Sequence, residues 1–344
     1  MQITFNDLSK MWLEKEMFNK TYSYRTELIC SVKHLSNYLG NQNCSDIKSQ
    51  DIDEFIHFES ETLNPNTNKP YSKKTLSDHL YTGNLIFEFG LENSLIDCPN
   101  PFAKKKKKIP KDAPVNERLP IDSKTSSLIL SVEHRAQVAA IIMLFCGLRK
   151  GEIIPLKWSD IDLRNKTIHI TKSVKKIDSN NYEVKRHTKN GKDRHLPIPD
   201  GILPLLKIEK FGKKDDELIF SKKDGSLHTD SSWKSMWNSY QKALNYEYYR
   251  RYMVNRGKKP KPYCSPTGIP VLIDKFTAHQ LRHTYCTMLY YSGVDALSAS
   301  KLMGHSNVRI TLEIYTHLDE IHKLVNIEKF NQYITSSYLN TSII

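Results

Sequence analysis

Apolar residues in the first hundred positions recur at helical spacing. Leu28, Val32, Leu35 and Leu39 step by four, three and four positions, which places their side chains on one face of an α-helix. Residues that could cap helices precede apolar runs at Thr4, Ser49 and Ser72. Almost nothing here alternates with the two-residue period of a strand. The pattern therefore predicts a small bundle of helices.

The second part of the chain mixes helical and alternating segments. Residues 136–145 are almost all apolar, which predicts a buried helix, and residues 166–170 alternate as K-T-I-H-I. Two further strand-like runs, 182–188 and 194–198, flank Asn190-Gly191, a dipeptide typical of tight hairpin turns. The last third again has helical spacing. We expect a mainly α fold with a small antiparallel β-sheet (α+β), with a mixed α/β domain following the helical one.

Helix breakers and lysines separate these two parts. A chain of 344 residues is long enough for two cores, and prolines precede and follow a run of five lysines. The run comprises Lys104, Lys105, Lys106, Lys107 and Lys108. The predicted domains are a helical domain at 1–100, a basic linker at 101–118, a larger domain at 119–325 and a tail at 326–344. The lysines fit either a solvated linker or a segment that crosses a DNA backbone.

Composition narrows the class of partner. Lys and Arg number 51 against 38 Asp and Glu, a net charge of +13, which favours a polyanion such as DNA, RNA or an anionic membrane surface. The chain has no apolar run long enough to span a bilayer and no signal pattern, so we expect a cytoplasmic protein. Six scattered cysteines without a C-x-x-C pair argue against disulfides and structural zinc, and we expect neither metal nor cofactor.

The first candidate site is the sequence G-L-R-K-G-E at 147–152, directly after the apolar helix. An arginine held there by rigid structure could bind a phosphate through two parallel hydrogen bonds. Glu152 could hold the guanidinium of Arg149 in place. An ordinary Arg–Glu pair at a helix end is the alternative.

The second candidate site is H-Q-L-R-H-T at 279–284. His279 and Arg282, three residues apart on a predicted helix, would share one face, so a proton-transfer group and a phosphate-binding group would converge. His279 and His283 also have the spacing of helical zinc ligands. The protease motif with that spacing requires Glu where Gln280 stands, which disfavours zinc.

The third candidate combines L-M-G-H-S at 302–306 with Tyr315. A phenol with a pKa of about 10 is a poor nucleophile near neutral pH, so it needs cationic neighbours or a base before it can attack phosphorus. Tyr315 is one of 18 tyrosines. Taken alone, such a residue on a C-terminal helix is more typical of packing than of catalysis.

The order of these motifs is more specific than any one of them. G-L-R-K-G-E, T-K-N-G, H-Q-L-R-H-T, L-M-G-H-S and I-Y-T-H follow one another between residues 147 and 317. This set resembles the signature of the phage integrase, or tyrosine recombinase, family. The preceding helices are similar to that family's core-site-binding (SAM-like) domain, which here starts close to Met1, so use of arm-type sites is not expected.

The resemblance implies a role for each matching residue. Arg149 and Arg282 would clamp the scissile phosphate, His279 and His305 would complete its pocket, and Tyr315 would be the nucleophile. Lys189 falls where the family places a general acid on a β-hairpin. Lys192, across the Asn-Gly turn, is a rival for that role.

The resemblance also implies a reaction and an assembly. A 3′-phosphotyrosine conserves the ester energy, so strand exchange would need neither metal nor ATP. Four protomers on two double-stranded DNA sites would pass through a Holliday junction, possible accessory DNA-bending or directionality proteins would assist, and the tail would dock on a neighbouring protomer or pack on its own domain.

The function expected from these features is site-specific recombination. The basic, aromatic stretch at 233–261 resembles integrases of Gram-positive prophages and conjugative elements, which favours integrase and excisionase activity of a mobile element. The alternatives are a chromosome-dimer-resolving recombinase, a type IB topoisomerase-like strand transferase, a metal-dependent transposase and a non-enzymatic DNA-binding regulator.

Overall fold

The protein divides into two compact units, each described here by itself. The first unit ends at residue 117 and also includes 176–178, and the second comprises the remainder. The structure is a computed structural model. It describes residues 2–18, 20–65, 67–115, 119–186, 193–263, 268–318 and 334, without the side chains of 106 and 107.

The first unit is the predicted helical bundle. Its elements are α1 (Phe5–Glu16), α2 (Tyr22–Leu39), α3 (Ser49–Glu61), α4 (Lys73–Glu92) and the short antiparallel strands β1 (Leu63–Asn64) and β2 (Lys69–Pro70). Thr4 caps α1, and its Oγ1 accepts a hydrogen bond from the backbone N–H of Asp7 at 3.2 Å. Ser72 caps α4 as predicted, whereas α3 begins at Ser49 itself with Lys48 as its cap. Apolar residues from all four helices form one core.

The segment predicted to be a linker belongs in large part to the first unit. Phe102, Ile109 and Ala113 are buried in its core, and Lys105–Lys108 form a 3₁₀ turn. Lys105 is itself buried, with its Nζ 2.6 Å from the carboxylate of Asp53. A lysine can bury its aliphatic stem when its ammonium finds a partner. This pairing gives Lys105 a structural role, and of the run 104–108 the lysines whose side chains are described as exposed are Lys104 and Lys108.

The second unit is built around the predicted apolar helix. Its helices are α5 (Ser123–Ser131), α6 (Gln137–Cys146), α7 (Lys150–Ile153), α8 (Leu203–Lys210), α9 (Asp230–Val254), α10 (Ala278–Tyr291) and α11 (Ala296–Met303), and residues 309–318 are helical as well. Every residue of α6 except Phe145 is buried, because the helix is apolar on all sides. It packs against α10. Thr277 caps α10 by a capping box with Gln280.

Five short strands complete the second unit. They are β3 (Ile161–Asp162), β4 (Thr167–Ile170), β5 (Lys172–Lys176), β6 (Tyr182–Arg186) and β7 (Arg194–Pro197). The sheet order is β3-β4-β7, with β5 and β6 forming a separate pair. This α+β architecture matches the predicted fold class. No helix in the described ranges is long and apolar enough to cross a membrane.

The sequence predicted that the strands at 182–188 and 194–198 pair with each other, and this prediction is wrong. Both runs form strands, but in the described residues β6 pairs with β5, and β7 pairs with β4 in a register that sets Leu196 opposite Ile168. Buried residues on alternate positions of β4 and β7 share one apolar face, and such a face fixes register. The Asn190-Gly191 turn lies outside the described residues.

Candidate active site

Arg149 lies at the junction between α6 and α7, where three hydrogen bonds hold it. Its backbone N–H donates to Glu152 Oε2 at 2.8 Å, and Nη1 donates to Glu152 Oε1 at 2.8 Å. Nη2 donates to the carbonyl of Gly304 at 2.5 Å. About a third of the side chain stays exposed, at 31%. Arg149 is therefore both fixed in direction and open to a ligand.

Arg282 lies beneath this surface on α10 and is almost fully buried, with 2% exposed. Its Nη1 donates to the carbonyl of Gly147 at 2.6 Å, and its Nη2 donates to the carbonyl of Met303. These two carbonyls end α6 and α11, where the helix dipole places partial negative charge. Burial and the nearby charge of Arg149 lower the pKa of Arg282, although a guanidinium remains charged near neutral pH.

Two glycines make these arginine contacts possible. Gly147 and Gly304 are the C-caps of α6 and α11, with φ of +70° and +61°, the left-handed region that favours glycine. A β-carbon on Gly147 would lie 2.2 Å from the ring of Tyr285. A β-carbon on Gly304 would lie 3.0 Å from Nη1 of Arg194. At both glycines the left-handed backbone turns a carbonyl towards an arginine, and an added β-carbon would crowd Tyr285 or Arg194.

Arg194, on β7, is a site residue that the sequence analysis missed. Its Nη1 and Nη2 donate to the two oxygens of Glu152 at 3.0 and 2.7 Å, and Glu152 is only 2% exposed. Burial acts to raise the pKa of Glu152, but hydrogen bonds and charge from Arg194, together with Arg149, outweigh it and lower the pKa to about 2. One buried carboxylate therefore orients two arginines. The sequence did contain a sign that Arg194 faces the interior, because the two-residue period of a strand places it on the same face as the apolar Leu196.

His305 follows Gly304 and faces the same cations. Its Nδ1 lies 2.8 Å from the hydroxyl of Thr311. Burial, and then the charges of Arg282, Arg149, His279 and Arg194, lower the pKa of His305 to about 4. His279 is exposed in the first turn of α10. Arg149, Arg282, His279 and His305, predicted from separate motifs, are thus electrostatically coupled.

Tyr315 has different surroundings. Its side chain is 8% exposed, and its hydroxyl donates to the backbone carbonyl of Val294 at 3.0 Å. The ring makes an edge contact with Tyr290, at 5.0 Å between centroids. Burial, followed by Cys286 and Asp295, raises the pKa of Tyr315. In this state the phenol is protonated and held by a backbone acceptor, not by the cations that act on His305.

Two other sequence predictions are not decided by these contacts. Lys189 and Lys192 lie outside the described residues, so the choice between them stays open. His279 and His283 do not belong to a convergent group of three ligand atoms in the ranges that the structure describes.

Comparison with known proteins assigns the family. The pattern described as "Phage integrase family" matches residues 124–322, more than half of the chain. The chain therefore belongs to the phage integrase family and is a tyrosine recombinase, a site-specific enzyme that breaks and rejoins DNA.

Two relatives support this assignment, and a solved structure shares the fold. A tyrosine recombinase XerC-like protein of Caldanaerobacter subterraneus is 27% identical over 96% of this chain and 83% of its own length. The ICEBs1 integrase of Bacillus subtilis is 23% identical over 92% of this chain and 79% of its own length. The fold is similar to that of the Tn1549 transposon integrase in complex with transposon right end DNA, with a TM-score of 0.70 and 19% identity, covering 94% of this chain and all of that one.

Proposed function

We propose that this recombinase acts as the integrase of a mobile element, joining two double-stranded DNA sites through a covalent link to Tyr315. The observation that carries the catalytic assignment is an excess of positive charge. The guanidiniums of Arg149, Arg194 and Arg282 converge, and within the described residues Glu152 is the carboxylate to which Arg149 and Arg194 donate, whereas Arg282 donates to backbone carbonyls. A phosphate diester would supply the missing negative charge.

Arg149 and Arg282 bind the non-bridging oxygens of the scissile phosphate. Each guanidinium has five N–H donors in a rigid fork. Arg149 donates to Glu152 and Gly304 and Arg282 donates to Gly147 and Met303, so each keeps further donors for a phosphate. Donors fixed in this way need no reorganisation when charge builds up on the phosphorane oxygens. Loss of one such donor costs about 10²–10³ in rate.

The two histidines complete the pocket. The pKa of about 4 keeps His305 neutral at neutral pH, so it donates an N–H to a phosphate oxygen and is able to accept a proton. His279 lies at the exposed edge of the cluster. It orients the phosphate from the solvent side.

The covalent step transfers the DNA strand to Tyr315. Its Oη attacks phosphorus as the phenol passes its proton to the neutral His305, the bond from phosphorus to the 5′ oxygen breaks, and a 3′-phosphotyrosine forms. Lys189 donates a proton to the departing 5′ oxygen. The reverse attack by a 5′ hydroxyl rejoins the strand, so the bond energy is conserved and no nucleotide is consumed.

Attack requires Tyr315 to leave its position in the isolated chain. The hydrogen bond to Val294 and the raised pKa both oppose ionisation, so residues 309–318 must shift until the phenol meets the arginines. Binding of DNA, with assembly of four protomers on two sites, provides the negative charge and the contacts for that shift. The tail at 326–344 docks on a neighbouring protomer in this proposal.

The mobile-element role is supported by the similarity to the ICEBs1 integrase. DNA flanking the gene supplies candidate attachment sites, and accessory DNA-bending proteins would set the direction. A plasmid assay with two candidate sites should yield recombinants, whereas relaxation of a single plasmid without joining would indicate a topoisomerase instead.

A nicked attachment site tests the nucleophile, because loss of a short 5′ fragment traps the covalent intermediate. Wild-type protein should form a denaturant-resistant adduct on the 3′-phosphate side. Tyr315→Phe should form none, while Tyr290→Phe, which changes the neighbouring tyrosine, should retain the adduct. An adduct with Tyr315→Phe would remove Tyr315 from this role.

A further inference from the structure

A cluster of two histidines and one glutamate lies within the first unit. His34 on α2, Glu59 on α3 and His79 on α4 each offer one ligand atom, and these three atoms lie within 4.8 Å of one another. His34 Nδ1 is 3.1 Å from Glu59 Oε1, and His79 Nδ1 is 3.2 Å from Glu59 Oε2. Three helices thus bring imidazole and carboxylate to one point.

Burying these charged and polar groups costs free energy unless a partner compensates for the loss of water. Glu59 and His79 are each only 3% exposed. Both lie in an apolar helical core, so the carboxylate needs a positive charge or hydrogen bonds to compensate for the loss of water.

The hydrogen-bond geometry does not account for the contact between Glu59 and His79. Glu59 Oε2 and His79 Nδ1 are both buried and have no hydrogen-bond partner among the described residues, although they lie 3.2 Å apart. An N–H directed at the carboxylate would have satisfied both atoms. Two buried electron-pair donors that lie this close, off the line of a good hydrogen bond, can bind a cation between them.

Ring packing holds both imidazoles in place. The rings of His34 and His79 stack with centroids 4.6 Å apart and planes 21° apart, and Tyr71 meets His34 edge-on at 5.1 Å. Stacking orients both rings before any ligand binds. A ring held in one orientation before binding loses less freedom when it becomes a ligand.

We propose that His34 Nδ1, Glu59 and His79 Nδ1 bind one divalent transition-metal ion, with Zn²⁺ as the best fit. Zinc takes nitrogen and oxygen ligands at about 2.0–2.2 Å, and two histidines with one glutamate are a known zinc ligand set. Ligand atoms of a tetrahedral site are then about 3.4 Å apart; the two N···O distances, each to a different oxygen of Glu59, are close to this value, and the three ligand atoms all lie within 4.8 Å. The side chain of His34 is 23% exposed, which leaves a route for the ion and for a water molecule as fourth ligand.

The ion would fasten α2, α3 and α4 to one another. Its charge would neutralise Glu59, and it would use the two buried atoms that lack partners. The role is structural: the cluster lies in the first unit, whereas the arginine cluster lies in the second.

Metal binding is tested directly on the full-length protein after removal of metals with a chelator. Titration with Co²⁺ should produce the visible absorption of a tetrahedral site with one equivalent bound, without the near-ultraviolet band of thiolate ligation. Zn²⁺ should displace the Co²⁺ and raise the Tm. Absence of the visible band together with an unchanged Tm would overturn the proposal.

Substitution of individual ligands tests whether the ion binds at this cluster. Glu59→Gln and His34→Gln should each weaken Zn²⁺ binding by at least about a hundredfold, since even supporting residues are worth 10–100-fold. His34 is the more exposed ligand, so His34→Gln keeps the test valid if Glu59→Gln does not fold. The control is His57→Gln, which alters an exposed His–Glu pair on the same helix as Glu59, with His57 75% exposed. Equal binding by His34→Gln and wild type would show that the ion binds elsewhere.

Discussion

At the scale of single residues, the arginine cluster depends on one buried carboxylate. Glu152 accepts hydrogen bonds from both Arg149 and Arg194, and its exposed fraction is 2%. A buried ion pair adds little to stability overall, but removing one partner leaves the other charge without compensation. In the proposed mechanism, Arg194 is therefore a positioning residue that acts on Arg149 through Glu152.

Arg194→Ala should lower both stability and DNA cleavage. The loss of the fork that binds Glu152 should cost roughly 3–5 kcal/mol in the free energy of unfolding, measured with denaturant. The control Arg250→Ala removes a comparable Arg–Glu contact at the surface, where Arg250 is 46% exposed, and should cost less than about 1 kcal/mol. Combining Arg194→Met with Glu152→Gln should recover part of the stability but not the cleavage. If Arg194→Ala costs no more than Arg250→Ala, Glu152 does not depend on it.

His305 should take up a proton when DNA binds. Because its pKa is lowered to about 4 in the free protein from an ordinary value near 6.5, its neutral form is favoured, and its contribution to stability is lost as the pH falls from about 6.5 to 4. A bound phosphate adds negative charge and raises this pKa. Calorimetry at pH 5.5 in two buffers of different ionisation enthalpy should detect uptake of up to about one proton.

A variant isolates the contribution of His305 to that signal. His305→Gln should reduce the proton uptake, whereas His279→Gln, at the exposed edge of the cluster, should change it less. Identical uptake by wild type and His305→Gln would assign the proton to another group.

Motif recognition predicted most of these residues but not their partners. The order of the motifs was enough to select Arg149, Arg282 and His305, which the structure brings together, while their catalytic roles stay predictions. Alternation placed Arg194 on the apolar face of its strand but not its partner, because Glu152 is 42 residues away along the chain. The state of Tyr315 was equally inaccessible, since the acceptor for its hydroxyl is a backbone carbonyl.

At the scale of elements, the ends of helices hold the cations. The last carbonyls of α6 and α11 accept hydrogen bonds from Arg282 and Arg149, and the negative end of each helix dipole strengthens these contacts. Helix boundaries were largely predictable from capping residues such as Thr4 and Ser72. Strand pairing was not, because the spacing of Asn190-Gly191 indicated a local turn whereas the shared apolar face of β4 and β7 determined the register.

Gly147→Ala should destabilise the site for two reasons, a steric clash with Tyr285 and an unfavourable φ. A left-handed conformation costs a residue other than glycine about 1–2 kcal/mol, and here the new methyl group would also lie 2.2 Å from the ring of Tyr285. The matched control is Gly212→Ala, because Gly212 has a φ of +74° but no atom within 4 Å of the added carbon. Chemical unfolding should show a clearly larger loss for Gly147→Ala. Equal losses would mean that Tyr285 yields and only φ matters.

At the scale of the whole molecule, the charge of +13 makes binding to DNA dependent on salt. Each phosphate contact releases condensed counterions, so log K falls linearly with log salt. The lysines at 104–108 were predicted as one basic segment. The structure separates them, because Lys105 is buried against Asp53 whereas Lys104 and Lys108 are exposed.

This separation predicts opposite behaviour for neighbouring lysines. If Lys104 and Lys108 contact phosphates, replacing both with Gln should reduce the slope of log K against log salt by up to about two and leave the Tm almost unchanged. Lys105→Gln removes a buried ion-pair partner, so it should lower the Tm and leave the slope as in wild type. Fluorescence anisotropy with a labelled duplex between 50 and 200 mM salt measures the slopes. If Lys105→Gln changed the slope as much as the double variant does, its ion pair with Asp53 would have to open on DNA, and the whole run would then contact the backbone.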